Sequence, residues 1–325
     1  MRLVQPKSIT EATLWIVGGG ILATFVLFLD RSPAPLSKIL FDGAHVLISF
    51  IVGLVLVHLS HPLFGKYFSR EWYHYAAAGS GVVIVGGGFE VLQLLTRGDP
   101  SYRDLARDAG GGAAALIFVY SVSQSQLPAL LATTKKTIGI LMSLGLLGLV
   151  MYPNLVRLRA LLLKRSEFPV LQSCEYSWEH YFCRGSHGAT LTIESVPPDF
   201  ATATGKFVGK VKYGTTSGPA LSLDDVVGDW SPFDALKFEV YSLAQKPVEV
   251  ILSIHDHGPR QTMTDHCNIV LKINPGNNSI SIPVQQIRTN PKTREMDVRQ
   301  IISLVVFRLE PTEPVTLYFD QFRLE

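Results

Sequence analysis

The chain has 325 residues, of which 47% are hydrophobic and only 17% are charged. Soluble domains carry about 25% charged residues. Here the shortage lies in residues 1–165, whereas residues 166–325 have the composition of an ordinary soluble domain. A single water-soluble globule is therefore excluded. With 29 Lys and Arg against 27 Asp and Glu and no basic tract, the sequence does not indicate a nucleic acid partner.

Five segments of the first region are apolar enough to cross a membrane, which takes about 20 helical residues. They cover residues 12–29, 39–60, 75–95, 105–123 and 138–156. The first follows Arg2 and Lys7, as a secretory signal would, but Asp30 and Arg31 follow it instead of a small-residue cleavage site, which predicts a retained helix. Glycine triplets inside the spans predict close helix packing in lipid rather than phosphate-binding loops.

Polar side chains gather around the second, third and fourth spans. Asp42 and His45 lie one helical turn apart at the start of the second span, as do Glu90 and Gln93 at the end of the third. The next connection and the start of the fourth span add Arg97, Ser101, Asp104, Arg107 and Asp108. Because these ends of the three spans lie at one membrane surface, we expect one polar pocket there, on the same side as the C-terminal region.

This pocket has two interpretations. In the first it is a structural network, with Glu90 paired to Arg97 or Arg107 and Asp104 at a helix start. In the second it is a site. The candidate catalytic acids and bases are Asp42, His45, Glu90 and Asp104. The candidate binding residues are Gln93, Arg97, Ser101, Arg107 and Asp108, since guanidinium groups match phosphate oxygens.

At these residues the sequence resembles the VanZ-like membrane family. The resemblance covers about residues 35–125 and consists of Asp42 and His45, then Glu90-x-x-Gln93, Arg97, Ser101-x-x-Asp104 and the glycine run at 110–112. The family commonly has Asn at the position of Asp108. The family is named for a glycopeptide-resistance protein, and the resemblance implies membrane location and a shared polar site rather than a particular reaction.

The second region alternates apolar and polar residues with period two. Residues 157–172 carry Arg157, Arg159, Lys164 and Arg165 among leucines and predict a basic amphipathic linker near the headgroups. Strands are predicted over residues 235–242, 248–255, 279–284, 301–308 and 316–324, with an NPGNN turn at 274–278. The fold class is therefore multi-domain: a transmembrane helical bundle over residues 1–156 and an antiparallel β-sandwich over 173–325.

The order of features in this second region is similar to the jelly-roll, galactose-binding-like sandwiches found as carbohydrate-binding modules, a resemblance that implies a jelly-roll topology. The matching pieces are GDWS at 228–231, FDAL at 233–236, the PGN turn at 275–277 and LYFD at 317–320. The resemblance implies a sandwich that binds sugar, with Trp230 as candidate sugar-binding residue. Trp178, Tyr181 and Tyr213 qualify by residue type, although such aromatics also serve as core residues. By the same analogy, Asp320 is a candidate ligand of a structural Ca²⁺; no other cofactor is expected.

Two further groups of residues leave alternatives open. Cys174 and Cys183 either form a disulfide in an oxidising compartment or remain separate thiols. The residues His255, Asp256, His257, Asp265, His266 and Cys267 resemble zinc ligands, but they lie where a solvated hairpin turn is expected, which we favour. The sequence contains neither a Gly-x-Ser-x-Gly elbow nor a His-Glu-x-x-His pair.

These expectations describe a multi-pass protein of the cell membrane whose C-terminal sandwich is extracytoplasmic and faces an envelope glycan. The flanking lysines and arginines do not decide the orientation once the arginines of the polar pocket are set aside. The expected partners are the lipid bilayer and an envelope glycan or lipid-linked saccharide. The alternative is a membrane-embedded enzyme acting on a lipid-linked sugar or its phosphate. Whether the protein is an enzyme stays open.

Overall fold

The computed structural model describes residues 35–64, 72–95, 102–123, 129–226, 228–257 and 264–325. The chain divides into two compact units, Met1–Leu158 and Arg159–Glu325. We refer to them as the helical unit and the sandwich unit. The first predicted span, residues 12–29, lies outside the described residues.

Four long helices make up the described part of the first 167 residues. They are α1 (Pro35–Phe64), α2 (Trp72–Leu95), α3 (Tyr102–Ser123) and α4 (Ala129–Glu167). Among the described residues, two segments are long and apolar enough to cross a membrane, Ile39–Ser60 and Leu131–Glu167. Of the about five predicted spans, the described part of the chain therefore supports two, while the one at residues 12–29 falls outside it.

Helix α3 falls short of a span for a reason visible in its composition. Its first two turns carry Arg103, Asp104, Arg107 and Asp108, so its apolar stretch is too short. The span predicted over residues 105–123 rested on the apolar residues and took too little account of these charges.

Glycines bring α1, α2 and α3 close together. A Cβ atom on Gly111 of α3 would lie 2.3 Å from the carbonyl oxygen of Val46 in α1, and one on Gly112 would lie 2.6 Å from a methyl group of Val82 in α2. A Cβ on Gly53 would approach the Cβ of Ala115 to 2.8 Å. The glycine run at 110–112 therefore is a helix-packing surface, as predicted, because a side chain larger than the hydrogen of glycine would not fit at these contacts.

The linker predicted over residues 157–172 is not a separate segment. Helix α4 continues to Glu167, and strand β1 (Val170–Gln172) already belongs to the sandwich. Lys164, expected at the headgroups, is 1% exposed. Its Nζ donates a hydrogen bond of 2.9 Å to the carbonyl oxygen of Asp224 and lies 4.4 Å from the ring centroid of Phe182. The last turns of α4 are thus part of the sandwich unit.

The sandwich unit consists of two antiparallel sheets. After β1 and a short 3₁₀ helix (Ser177–Tyr181), the strands are β2 (Cys183–Ser186), β3 (Ala189–Ser195), β4 (Phe207–Tyr213), β5 (Ala220–Asp224), β6 (Ala235–Ser242), β7 (Val248–Asp256), β8 (Cys267–Ile273), β9 (Gly276–Pro283), β10 (Ile301–Phe307) and β11 (Val315–Leu324), with a short helix α5 (Val284–Thr289) before β10. One sheet has the order β3-β4-β11-β6-β9, with β1 paired to β11; the other has the order β2-β5-β10-β7-β8.

Alternating side chains of both sheets form one hydrophobic core. Along β6, every second residue is buried, as period-two patterning requires. The core joins side chains such as Phe238 and Phe319 of the first sheet to Leu252 and Leu304 of the second. The antiparallel sandwich expected from the sequence is confirmed. Strands β2 and β3 are edge strands of different sheets.

Candidate functional site

A buried polar cluster joins the helices of the helical unit. His45 Nδ1 lies 3.3 Å from Asp108 Oδ1, and Ser49 Oγ donates a hydrogen bond of 2.6 Å to the same oxygen. All three side chains are buried. Gly86 of α2 makes room for the carboxylate, since a Cβ there would lie 2.8 Å from Asp108 Oδ2. Three helices therefore enclose one carboxylate.

Arg107 connects the remaining members of this cluster. Its Nη1 donates to Asp104 on the same helix and lies 3.5 Å from Asp42 Oδ2 on α1. Its Nη2 donates a hydrogen bond of 3.3 Å to Asn154 Oδ1 on α4. From here on, the polar cluster means Asp42, His45, Ser49, Asp104, Arg107, Asp108 and Asn154.

The structure brings together most of the residues predicted for this pocket. Besides the members of the polar cluster, Glu90 is close enough to His45 to interact with it electrostatically. Gln93 lies in α2, but its side chain, and the residues Arg97 and Ser101, fall outside the described part of the structure. Sequence reasoning missed Ser49 and Asn154. The spacing of four residues from His45 to Ser49 was a usable signal, whereas nothing local pointed to Asn154.

The polar cluster has the features of a structural network and also two unused hydrogen-bonding atoms. Arg107 is paired with two carboxylates, as a network requires. In the described residues, however, His45 Nε2 and Asn154 Nδ2 are buried without a hydrogen-bond partner. With Nδ1 facing a carboxylate, the Nε2 atom of a neutral imidazole is a hydrogen-bond acceptor. A ligand hydroxyl or a water molecule would satisfy it.

The sandwich unit contains a cleft of about 750 Å³ next to β2 and β3. Its floor includes Cys174, Cys183, Ala189 and Leu191. Hydrogen-bonding side chains line it as well, namely Gln172, Glu175, Tyr176, Ser177, Glu179, His180, Arg184 and Thr190. Ile193 and Phe207 complete the wall and are partly exposed. From here on, the cleft means this cavity.

Glu179 fixes the loop that forms one lip of the cleft. Its carboxylate accepts hydrogen bonds from the backbone N–H of Ser173 at 2.6 Å and of Tyr176 at 3.1 Å, and from the Ser173 hydroxyl. Burial raises the pKa of Glu179, an effect that these hydrogen bonds oppose. Glu175 ties the same loop to β4 by accepting hydrogen bonds from the backbone N–H groups of Lys206 and Phe207 at 2.7 and 2.8 Å. The lip is therefore held from two sides.

Aromatic rings are exposed along this lip. The Tyr176 side chain lines the cleft and is 50% exposed. Its ring stacks on Trp178 with centroids 5.8 Å apart and an angle of 11° between planes. Tyr181, on the same 3₁₀ helix, is exposed but does not line the cleft. Of the aromatics predicted from residue type, Trp178 and Tyr181 thus lie at the surface, whereas the ring facing the cleft, Tyr176, was not predicted.

Two predicted sugar-contacting aromatics belong to the core instead. Trp230 and Tyr213 are both 0% exposed and pack in the sandwich core. The backbone N–H of Trp230 donates to the carbonyl oxygen of Val298. The Tyr213 hydroxyl donates to the carbonyl oxygen of Val306. A sugar cannot stack on a ring that it cannot reach, so the assignment of Trp230 as a binding residue is wrong.

The predicted zinc-like group is organised by Arg294. The guanidinium forms a two-pronged ion pair with Asp256 and a 2.7 Å hydrogen bond from Nε to Asp265 Oδ1. The rings of His255 and His266 stack at 3.9 Å, and burial lowers the pKa of His255 to about 4. Cys267 is a buried core residue. Among the described residues no three potential ligands of the Asp, Glu, His and Cys types converge on a metal position.

Asp320 and the cysteines complete the predicted set. Asp320 is 1% exposed; its Oδ2 accepts a 2.7 Å hydrogen bond from the backbone N–H of Thr204, and burial raises its pKa to about 6. The described surroundings do not present the several carboxylates typical of a calcium site, so Ca²⁺ at Asp320 stays a prediction. Cys174 and Cys183 are free thiols, and burial raises the pKa of Cys174 to about 12.

Comparison with known proteins adds a likeness of fold for the sandwich unit. No protein-family model matches the chain, so the VanZ-like resemblance has no support of that kind, and no curated protein matches it either. The family 11 carbohydrate-binding module of Clostridium thermocellum, solved with a β-1,3-1,4-mixed-linked tetrasaccharide, is similar at a TM-score of 0.34 and 16% identity over 44% of this chain and 86% of the module.

Two further solved structures resemble the same share of the chain. The family 30 carbohydrate-binding module of a Clostridium thermocellum cellulosomal cellulase has a TM-score of 0.35 and 12% identity over 44% of this chain and 91% of the module. An exo-β-agarase has a TM-score of 0.35 and 13% identity over 44% of this chain and 23% of the agarase. Likenesses at this level assign no ligand and no function. The architecture of the chain, a helical region followed by an antiparallel sandwich, follows from its own helices and strands.

Proposed function

We propose that the protein is a membrane-anchored, glycan-binding protein of the cell envelope. The helical unit holds the chain in the membrane, and the sandwich unit, on the extracytoplasmic side, binds a saccharide in the cleft. The observation that carries the proposal is the cleft itself, in which the exposed Tyr176 ring stands beside hydrogen-bonding side chains on a loop fixed by Glu179.

The composition of the cleft suits a saccharide better than an apolar ligand. A pyranose has an apolar C–H face, which packs on an aromatic ring, and a rim of hydroxyl groups, which require donors and acceptors. The ring of Tyr176 offers the apolar surface for the C–H face, while Glu175, His180 and Arg184 offer hydrogen-bonding groups for the hydroxyls. The volume of about 750 Å³ falls within the range of small-molecule sites. A lip held by hydrogen bonds lowers the entropy cost of binding.

The membrane part of the proposal is supported by the two apolar helical segments and by the large apolar side chains exposed on α4, among them Leu141, Met142, Leu144 and Leu149. Exposed leucines on one helix are typical of a surface that faces lipid rather than water. Resistance of the full-length protein to alkaline extraction from membranes tests this part. An alkaline phosphatase fusion at the C-terminus tests the orientation, since activity requires an extracytoplasmic location.

Saccharide binding is tested with the full-length protein in detergent on immobilised envelope and plant polysaccharides. Tyr176→Ala is expected to weaken binding about tenfold, the equivalent of ~1.4 kcal/mol for a lost stacking contact. Tyr181→Ala is the matched control, because Tyr181 is an exposed tyrosine of the same segment that does not line the cleft. Equal effects of the two substitutions, or the absence of binding by the wild-type protein, would contradict the proposal.

A second function, catalysis on a lipid-linked sugar or its phosphate, is favoured by the unused Nε2 atom of His45 in the polar cluster. His45 would serve as acid or base and Arg107 would stabilise negative charge. Turnover of a lipid-linked saccharide phosphate by the purified protein, lost in His45→Gln and retained in Arg103→Gln, would support it. Arg103 is a suitable control because it is exposed and lies near the ring of Tyr102. Equal activity in both variants would exclude this role.

A further inference from the structure

The helical unit has an apolar groove of about 620 Å³ between α2, α3 and α4. Its apolar walls come from Leu116 and Ile117 of α3 and from Ile138 and Met142 of α4. At its floor α3 and α4 touch, since a Cβ on Gly139 would lie 1.7 Å from Ser121 Oγ. The lining of the groove is mainly apolar and therefore suits a hydrocarbon chain rather than a polar solute.

Aromatic rings and one cation mark one end of this groove. Trp72 and Tyr75 line it from the first turn of α2, and Tyr120 lines it from the last turn of α3. The rings of Tyr75 and Tyr120 meet edge to face at 5.7 Å. Trp72 and Tyr120 are 55% and 56% exposed. Lys135, near the start of α4, is the charged residue among the described lining residues.

This arrangement places a headgroup position beside a hydrocarbon position. Trp and Tyr concentrate at the level of lipid headgroups, because their rings are apolar and their N–H and O–H groups need polar partners. A basic residue in a crevice between membrane helices is a site for phosphate groups of anionic lipids. The groove contains both, while the polar cluster lies toward the opposite end of α3, around Asp104.

We propose that the groove binds one anionic phospholipid, with an acyl chain along Leu116, Ile138 and Met142 and the phosphate at the Lys135 ammonium group. The proposal rests on the membrane anchorage proposed above and is independent of saccharide binding in the cleft. A phospholipid fits better than a peptide helix, because the groove joins an apolar stretch to aromatic rings and to a single cation among its described lining residues.

The test uses the full-length protein purified in detergent and native mass spectrometry after addition of dioleoylphosphatidylglycerol or dioleoylphosphatidylcholine. The wild-type protein is expected to retain phosphatidylglycerol in preference to phosphatidylcholine. Lys135→Gln should reduce phosphatidylglycerol binding about fivefold, the effect expected for one lysine at an anionic headgroup. Lys135→Arg should restore it. Lys136→Gln is the matched control, because Lys136 is an exposed neighbour that does not line the groove.

A second variant tests the hydrocarbon position separately. Met142→Trp fills the apolar part of the groove and should reduce binding of both lipids, while leaving the charge at Lys135 in place. Equal retention of the two lipids by the wild-type protein, equal effects of the Lys135 and Lys136 substitutions, or undiminished binding by Met142→Trp would each overturn the proposal. Release of the wild-type protein by alkaline extraction would instead contradict the proposed membrane anchorage. Failure to bind a saccharide would contradict the proposed role of the cleft and leave the lipid result unaffected.

Discussion

His45 Nδ1 lies 3.3 Å from Asp108 Oδ1, although 63 positions separate the two residues in the chain. The contact joins α1 to α3, and the Ser49 hydroxyl one turn further along α1 bonds the same oxygen. A carboxylate that is only 3% exposed needs such donors, because burial without them costs several kcal/mol. The contact is therefore a condition for packing these helices as well as a feature of the candidate site.

We expect Asp108→Ala to destabilise the helical unit by about 3–5 kcal/mol, because it leaves His45 and Ser49 buried without their acceptor. Asp108→Asn keeps a carbonyl oxygen at this position and should retain most of the stability. Thermal unfolding of the full-length protein in detergent measures both. Similar midpoints for Asp108→Ala and the wild-type protein would show that the carboxylate does not hold the helices together.

Gly111→Ala is expected to separate α1 from α3, because its Cβ would meet the Val46 carbonyl oxygen at 2.3 Å. A loss of about 1–3 kcal/mol is typical of overpacking. Gly87→Ala is the matched control, since no atom lies within 4 Å of a Cβ at that position of α2. The measurement is the temperature at which each variant aggregates when heated in the same detergent. A larger loss in Gly87→Ala than in Gly111→Ala would contradict the packing described here.

Arg294→Met is expected to destabilise the sandwich unit by about 3–5 kcal/mol, because Asp256 and Asp265 would remain buried as unneutralised carboxylates. Arg294→Lys should recover only part of this, since an ammonium group cannot reproduce the two-pronged pair. Arg288→Met is the control: its ion pair with Glu295 is exposed and contributes about 1 kcal/mol or less. Urea unfolding followed by tryptophan fluorescence should separate the variants, and comparable losses would refute the argument.

Asp320 is expected to make the sandwich unit less stable as the pH rises. Burial raises its folded-state pKa to about 6, whereas an unfolded Asp titrates near 3.9. Between about pH 4 and 6 the unfolded chain therefore releases a proton that the folded chain keeps, and stability falls. Asp320→Asn should remove this dependence and raise stability at pH 7 by roughly 3 kcal/mol. Unfolding midpoints at pH 4, 5, 6 and 7 measure it, and parallel profiles for the two proteins would contradict it.

Local periodicity was enough to predict much of the fold. The strand predicted over residues 235–242 is β6 with the same bounds, and β7 extends its prediction by one residue, to Asp256. The predicted span 39–60 coincides with an apolar segment of α1. In each case the pattern is carried by consecutive residues, so no knowledge of distant contacts is needed.

Features that depend on distant residues were missed or misassigned. The partner of Asp256 is Arg294, 38 positions away, and only that pairing shows that the aspartate is not available to a metal. Trp230 carries no local sign of its burial, which follows from packing against both sheets. The conformation of the lip depends on hydrogen bonds that the backbone N–H groups of Ser173 and Tyr176 donate to the Glu179 carboxylate, which follows them in the chain. The ring that faces the cleft therefore could not be distinguished by residue type.

Two glycines leave no space for a side chain beside the buried polar groups. A Cβ on Gly86 would lie 2.8 Å from the carboxylate of Asp108, and one on Gly111 would lie 2.3 Å from the Val46 carbonyl oxygen. The placement of the charged groups depends on residues that contribute no functional group of their own. A random mutagenesis screen for loss of function should accordingly recover substitutions at Gly86 and Gly111 about as often as at His45 or Asp108. Such alleles would be missed by any screen restricted to ionisable positions.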